Sequence, residues 1–312
     1  MGGVRRVRGL GCFCQKGASA LALAASAFFV FAGSAWGAAY PSTGPASAGQ
    51  VRTHAPAPLP TGAIRPYAKG GVTDAGNKAL VGSQAKLKSL SGIAPGTVID
   101  AAQIDFEDVD KYFMWWDIEE GDNLFSRING KSYQKNDVVP VSSLKYLKLP
   151  HYNFDGQIQV GELVVGADVK DDFLNIFKEL FLAQYQIQSM YLVDNYWVGN
   201  GTDTDSASID ENNTSAFCFR AATASENLSW HAYGRAIDIN PQQNPYVSYA
   251  NGTPQWSHEN ANGYIDRDTG LPHVITTEDL AYQTFLKYGF IWGGELGTVR
   301  DYQHFAKPIE TP

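Results

Sequence analysis

The sequence predicts an α+β fold, helices packed on a small antiparallel sheet, and three kinds of pattern carry that prediction. From residue 169 the apolar side chains Val169, Phe173, Ile176, Phe177 and Leu180 recur at helical spacing on one face. Asp168 reads as the N-cap of this helix, which runs to about Gln184. Residues 277–288 read as a second helix, ending before Gly289. Between the helices, residues 189–198 are aromatic and β-branched enough for a strand. Residues 235–240 alternate, with Ile237 and Ile239 on one face and Ala236, Asp238 and Asn240 on the other. That is a strand whose apolar back buries against the domain and whose polar front faces a cleft.

The ends of the chain set the organisation. Arg5, Arg6, Arg8 and Lys16 precede an apolar stretch at residues 18–32, followed by the small residues Gly33-Ser34-Ala35-Trp36-Gly37-Ala38-Ala39. This order is that of a secretory signal peptide over residues 1–37, with cleavage after Gly37 or Ala39. The rival is an uncleaved anchor, because residues 18–39 approach the ~20 needed to span a bilayer. The small-residue end favours cleavage, and so export to the periplasm, cell wall or medium with no stable membrane insertion afterwards. Residues 38–98 are rich in Pro, Ala, Gly, Ser and Thr and have too few large apolar side chains for a core, so they read as a mostly disordered linker. Residues 99–312 have the size of one domain, expected as a monomer.

Composition excludes several classes. The formal net charge is −8, and losing residues 1–37 removes four basic residues and no acidic ones, which takes it to −12. An acidic chain with no basic cluster is a poor nucleic-acid binder. Cys12 and Cys14 would leave with the leader, so Cys218 has no disulfide partner and reads as a small buried side chain. The acidic run Asp203, Asp205, Asp210, Glu211 lacks the glycine and terminal glutamate of an EF-hand loop and reads as a solvated loop.

The chemistry concentrates in two places. Residues 229–238 read SWHAYGRAID, and His304 follows Asp238 by 66 residues within Asp301-Tyr302-Gln303-His304-Phe305. Two histidines and two carboxylates make the donor set of a catalytic zinc site. His231 and Asp238 would be roughly 10 Å apart on a straight helix and roughly 23 Å apart on a straight strand. To reach one ion the chain must fold back between them, and Gly234 can take the backbone angles of that turn.

Ser229, His231, Gly234, Ala236 and Asp238 fit SxHxxGxAxD, and in this the chain resembles the zinc D-alanyl-D-alanine carboxypeptidase family. That family also contains L-alanyl-D-glutamate endopeptidases and shares its fold with the hedgehog signalling domain. The DxxHF at Asp301 to Phe305 is similar to its second motif. So are Trp292-Gly293-Gly294, Gly130-Lys131-Ser132-Tyr133, Gly161-Glu162-Leu163, and Asn212-Asn213-Thr214-Ser215-Ala216-Phe217 followed by Arg220. The resemblance implies a hedgehog/DD-peptidase-like fold with His231, Asp238 and His304 as zinc ligands. It further implies Asp301 as general base, Arg220 as stabiliser of the transition state, and peptidoglycan stem peptides as substrate. The residue chemistry agrees: three protein ligands leave a place for water, a carboxylate beside a ligand can carry its proton, and a guanidinium can face a developing oxyanion. Ser229 is expected to support the site rather than attack substrate.

Two positions depart from the pattern. Glu295-Leu296-Gly297 stands where relatives commonly carry a second tryptophan, and Ala306 where a glutamate often follows the phenylalanine. Both bear on the shape of the cleft rather than on the metal. His54, His151, His258 and His273 read as surface or core histidines. The competing function class is a catalytically inactive zinc-binding module that recognises cell wall, against which Asp301 and Arg220 argue.

Overall fold

The computed structural model describes residues 85–223 and 225–309. The expected leader, His54 and residues 38–84 of the expected linker lie outside the described residues. From Leu87 and Leu90 the chain packs against the body of the domain. Leu90 is buried with Ile104, Tyr112 and Phe181, Lys148 Nζ donates to the carbonyls of Ser91 and Ile93, and the Gly96 amide donates to Val160. The packed unit therefore begins ahead of residue 99.

Along the chain come β1 (Val98–Ile99), β2 (Met114–Asp117), α1 (Asn123–Ile128), β3 (Leu144–Tyr152), β4 (Ile158–Gly166) and α2 (Lys170–Leu182). Next are β5 (Ser189–Met190), α3 (Gly201–Asp210), β6 (Asn213–Thr214), β7 (Ala236–Asp238) and β8 (Tyr246–Ser248). The chain closes with α4 (Leu280–Lys287), β9 (Ile291–Trp292), β10 (Val299–Asp301) and β11 (His304–Ala306). No described helix is long and apolar enough to cross a membrane.

The mixed α+β architecture matches expectation, with its strands spread over several sheets. The largest is antiparallel, in the order β1-β4-β3-β2, and a three-stranded antiparallel sheet has the order β7-β11-β9. Two further pairs are β10 with β8, antiparallel, and β5 with β6, parallel. One core joins the two larger sheets. Leu147, Leu163 and Val165 of the large sheet, Phe173 and Phe177 of α2, Phe285 of α4, and Ile237 and Phe305 of the three-stranded sheet share a single cluster. Burying a side chain of this size contributes roughly 1.5–3 kcal/mol, so this cluster fixes the small sheet relative to the large one.

Several local expectations are corrected. The predicted face of α2 is buried at Phe173, Ile176, Phe177 and Leu180, but its cap residue is Val169. Asp168 is drawn instead into an ion pair with Arg235. Only Ser189–Met190 of residues 189–198 is strand. The chain then turns through a 3₁₀ helix, Val193–Tyr196, because the Asp194 carboxylate is bound by the Ser132 amide (3.1 Å) and hydroxyl (2.8 Å). The second helix starts at Leu280, where the Asp279 side chain caps it by accepting from the Ala281 amide. The acidic run is not a solvated loop. Asn200 caps α3 through the Asp203 amide, and Asp205 is buried in that helix.

Candidate active site

Ser229 caps the turn that carries His231. Its Oγ accepts from the His231 amide (3.3 Å) and starts the short 3₁₀ helix Trp230–Tyr233. The helix ends at Gly234, whose φ of 65° is left-handed. A Cβ there would stand 2.4 Å from Gly166 N and 2.7 Å from Val165 C, so glycine is required twice over, by angle and by space. The Gly234 amide donates to His231 O and the Arg235 amide to Trp230 O, which reverses the chain into β7. This is the fold-back that the seven-residue spacing demanded.

The third donor arrives by strand pairing. In β7 and β11, Asp238 lies directly opposite His304, and directly opposite residues in an antiparallel pair point to the same face. Ile237 and Phe305, one step along, point into the core and are fully buried. His231 Nδ1 donates to Ala216 O at 2.5 Å, which leaves Nε2 as the free lone pair. His231 Nε2 lies 3.1 Å from His304 Nδ1, His304 Nδ1 lies 2.9 Å from Asp238 Oδ1, and Asp238 Oδ2 lies 3.4 Å from His231 Nε2.

These spacings suit one small ion. Donors held at 2.0–2.1 Å around a tetrahedral centre stand roughly 3.3 Å from one another. All three residues are buried, and among the described residues they form the one His/Cys/Asp/Glu group placed for a metal. His151, His258 and His273 lie elsewhere: His151 is buried on β3, His258 pairs with Asp210 at 2.7 Å, and His273 stacks on Phe154. Without an ion the set is electrostatically self-paired. Burial opposes charge on Asp238, but the two facing imidazoles hold its carboxyl well below the usual range. Burial likewise opposes protonation of His231, and Asp238 outweighs it to shift that ring up, whereas for His304 burial prevails and the ring is shifted down.

Asp301 ends β10, one tight turn before His304. Its Oδ1 is out of solvent contact and has no hydrogen-bond partner. Burial, and then the charge of Asp238, push its carboxyl well above the usual range. Gly293 of the Trp-Gly-Gly run explains itself here, since a Cβ would come within 2.5 Å of Asp301 O and 2.8 Å of Asp301 Cβ. Trp292 Nε1 donates to Tyr302 O (2.8 Å) in the same turn.

Arg220 sits in an ion pair with Asp205 (2.6 Å), both side chains nearly buried. Its charge still reaches the site, disfavouring protonation of His231, His304 and Asp301. Asp205, which the sequence offered only as part of a solvated acidic run, thus pairs with Arg220, and Tyr246, opposite Asp301 in the β8–β10 pair, is a neighbour that sequence reasoning did not single out. The Cys218 thiol is buried and pushed up to about 12 by desolvation, as for a small side chain packed in the core. Of the departures, Glu295 accepts from Tyr282 Oη (2.9 Å), and Ala306 is buried opposite Ala236, where a larger side chain would have to displace the core.

Two imidazoles and a carboxylate converge in the buried interior, with a second carboxylate one turn away, an arrangement that could hold a metal ion. Residues 223–307 match the family model described as D-alanyl-D-alanine carboxypeptidase. Over that segment the chain is similar to that peptidase family, and the segment contains His231, Asp238, Asp301 and His304 but not Arg220. Comparison with curated proteins and with solved structures gives no match.

Proposed function

We propose that the protein is an exported, monomeric zinc peptidase that hydrolyses peptide bonds in peptidoglycan stem peptides, on a hedgehog/DD-peptidase-like fold. The observation that carries the proposal is the convergence of His231, Asp238 and His304 beside Asp301 within the peptidase-family segment. The donor set and its spacing fit zinc, which His231 Nε2, Asp238 and His304 Nδ1 would hold. When bound, zinc supplies a polarised carbonyl and a water whose pKa falls to about 7.

The chain's own groups do the rest. Asp301 accepts the proton of the attacking water as its oxygen bonds to the scissile carbonyl carbon, and passes that proton to the amine as the C–N bond breaks. Its buried Oδ1, which has no hydrogen-bond partner, is suited to take that proton. Arg220, already charged and oriented by Asp205, adds positive potential where the carbonyl oxygen gains negative charge. Cleavage of the D-Ala-D-Ala bond is favoured slightly over the L-Ala-D-Glu bond, because the wider family is named for the former.

Incubating purified mature protein with defined wall peptides, with products read by mass spectrometry, tests all of this. Release of free D-alanine from a pentapeptide stem is the expected result. Release of an intact tetrapeptide starting at D-glutamate, without D-alanine, would overturn the choice of bond. No cleavage by the zinc-loaded protein would replace the enzyme by a wall-recognition module.

A further inference from the structure

After β7 the chain leaves the metal centre, and before returning with His304 it runs through a long excursion, residues 239–303. That excursion supports Asp301 in two ways. Its β8 pairs with β10, placing Tyr246 opposite Asp301, and the pairing is extended by Tyr302 N to Pro245 O and Tyr249 N to Thr298 O. Its second support is a single side chain. Arg267 Nη1 donates to Gln243 O (2.7 Å), and Nη2 donates to Asn244 Oδ1 (3.0 Å) and Ile275 O (2.9 Å). The face of the same guanidinium lies 4.2 Å from the ring centre of Tyr302, the residue after Asp301.

Arg267 thus draws together the turn after β7 (Gln243, Asn244) and the returning chain (Ile275), and closes both over the turn that carries Asp301. Asn244 Oδ1 is shared, since it also accepts from the Ile275 amide at 2.7 Å. Only arginine combines several donors in one plane with a face that stacks. The metal ligands do not depend on this clasp. Asp238 and His304 are set by the β7–β11 pairing, and His231 by Ala216 O and its own turn.

We infer that Arg267 is a positioning residue for Asp301, one that fixes the proton-carrying carboxylate without bearing on the metal ligands. The inference rests on Asp301 acting as general base. A misplacement of about 1 Å in a reacting group can lower turnover about a hundredfold.

The test uses the full zinc-loaded chain. Arg267→Met should keep one metal per chain and the absorption spectrum of the Co²⁺-substituted protein. It should lower kcat between about tenfold and a hundredfold, with KM within about twofold. Arg267→Lys, which keeps the charge and loses the fork, should behave in the same way. In an Asp301→Asn background either change should have less than about a twofold further effect, because the two act through one group. Amide exchange should rise in residues 246–248 and 299–301 of Arg267→Met, a readout that needs no turnover. Unchanged kcat, metal lost together with activity, a full additional loss in the Asp301→Asn background, or unchanged exchange would each overturn the inference. If even the wild-type chain cleaves nothing, the peptidase reading falls while the exchange measurement still decides whether Arg267 holds the Asp301 strand.

Discussion

Replacing Gly234 by alanine probes the turn that brings His231 and Asp238 together. The substitution meets two separate obstacles. A left-handed backbone at φ 65° costs a residue with a Cβ roughly 1–2 kcal/mol. The added methyl would also sit 2.4 Å from Gly166 N and 2.7 Å from Val165 C, and these are backbone atoms of β4 that cannot rotate aside. Overpacking of this kind costs roughly 1–3 kcal/mol, so the two obstacles together come to about 2–5 kcal/mol. For a domain of this size that corresponds to a fall in Tm of roughly 4–20 °C. The measurement is thermal unfolding of metal-free protein, because bound metal would add its own stabilisation. Gly252→Ala is the control: its φ is 78°, but nothing lies within 4 Å of the added Cβ, so it carries only the backbone cost. Equal melting temperatures for the two variants, or a Gly234→Ala protein within about 2 °C of wild type, would refute the steric argument.

Three other outcomes are expected. His304→Ala should lose stoichiometric zinc by metal analysis while remaining folded, and full zinc occupancy in that variant would remove His304 from the ligand set. Asp301→Asn should keep its zinc and lose at least about a hundredfold in turnover, and wild-type activity would take Asp301 out of the mechanism. His151, buried on β3 and pushed down to about 4 by desolvation, should make stability fall in acid. The folded state binds its proton more weakly than the unfolded state, so the contribution is whole above about pH 6.5 and is lost as pH falls toward 4, by about 3 kcal/mol. Urea titrations at pH 7 and pH 4.5 should show a smaller acid loss for His151→Gln, and identical losses would place the titrating group elsewhere.

What the sequence made legible was local. Residues 229–240 could be read because a left-handed glycine and a two-residue alternation are properties of the chain itself, and both appear in place at Gly234 and at Ile237 and Ile239. The face of α2 was legible for the same reason. Pairing between distant short strands was not. β8, β9, β10 and β11 have two or three residues each, too few for a periodicity, and the register of β9 on β11 goes with the core packing of Trp292 and Phe305. The β3–β4 hairpin was obscured differently, because Lys145, Lys148, Pro150 and His151 interrupt its apolar pattern. Lys148 is tolerated by reaching two carbonyls, and Pro150 lies beyond the stretch of β3 paired to β2. Asp168 shows the limit of capping rules, since a better partner in Arg235 outcompeted the helix. The same holds for Asp205, whose pairing with Arg220 depends on where α3 lies.

Because Asp238 and His304 meet as opposite residues of adjacent strands, the number of residues between them along the chain does not enter the geometry of the centre. A protease that nicked the exposed tip around residues 250–257 would leave two fragments still zipped together at β7 and β11, with their donors in place. The intervening segment is therefore a region where insertions, deletions and exchanged loops can reshape the cleft without dismantling the centre. Any replacement would still have to provide its own equivalent of the Arg267 clasp.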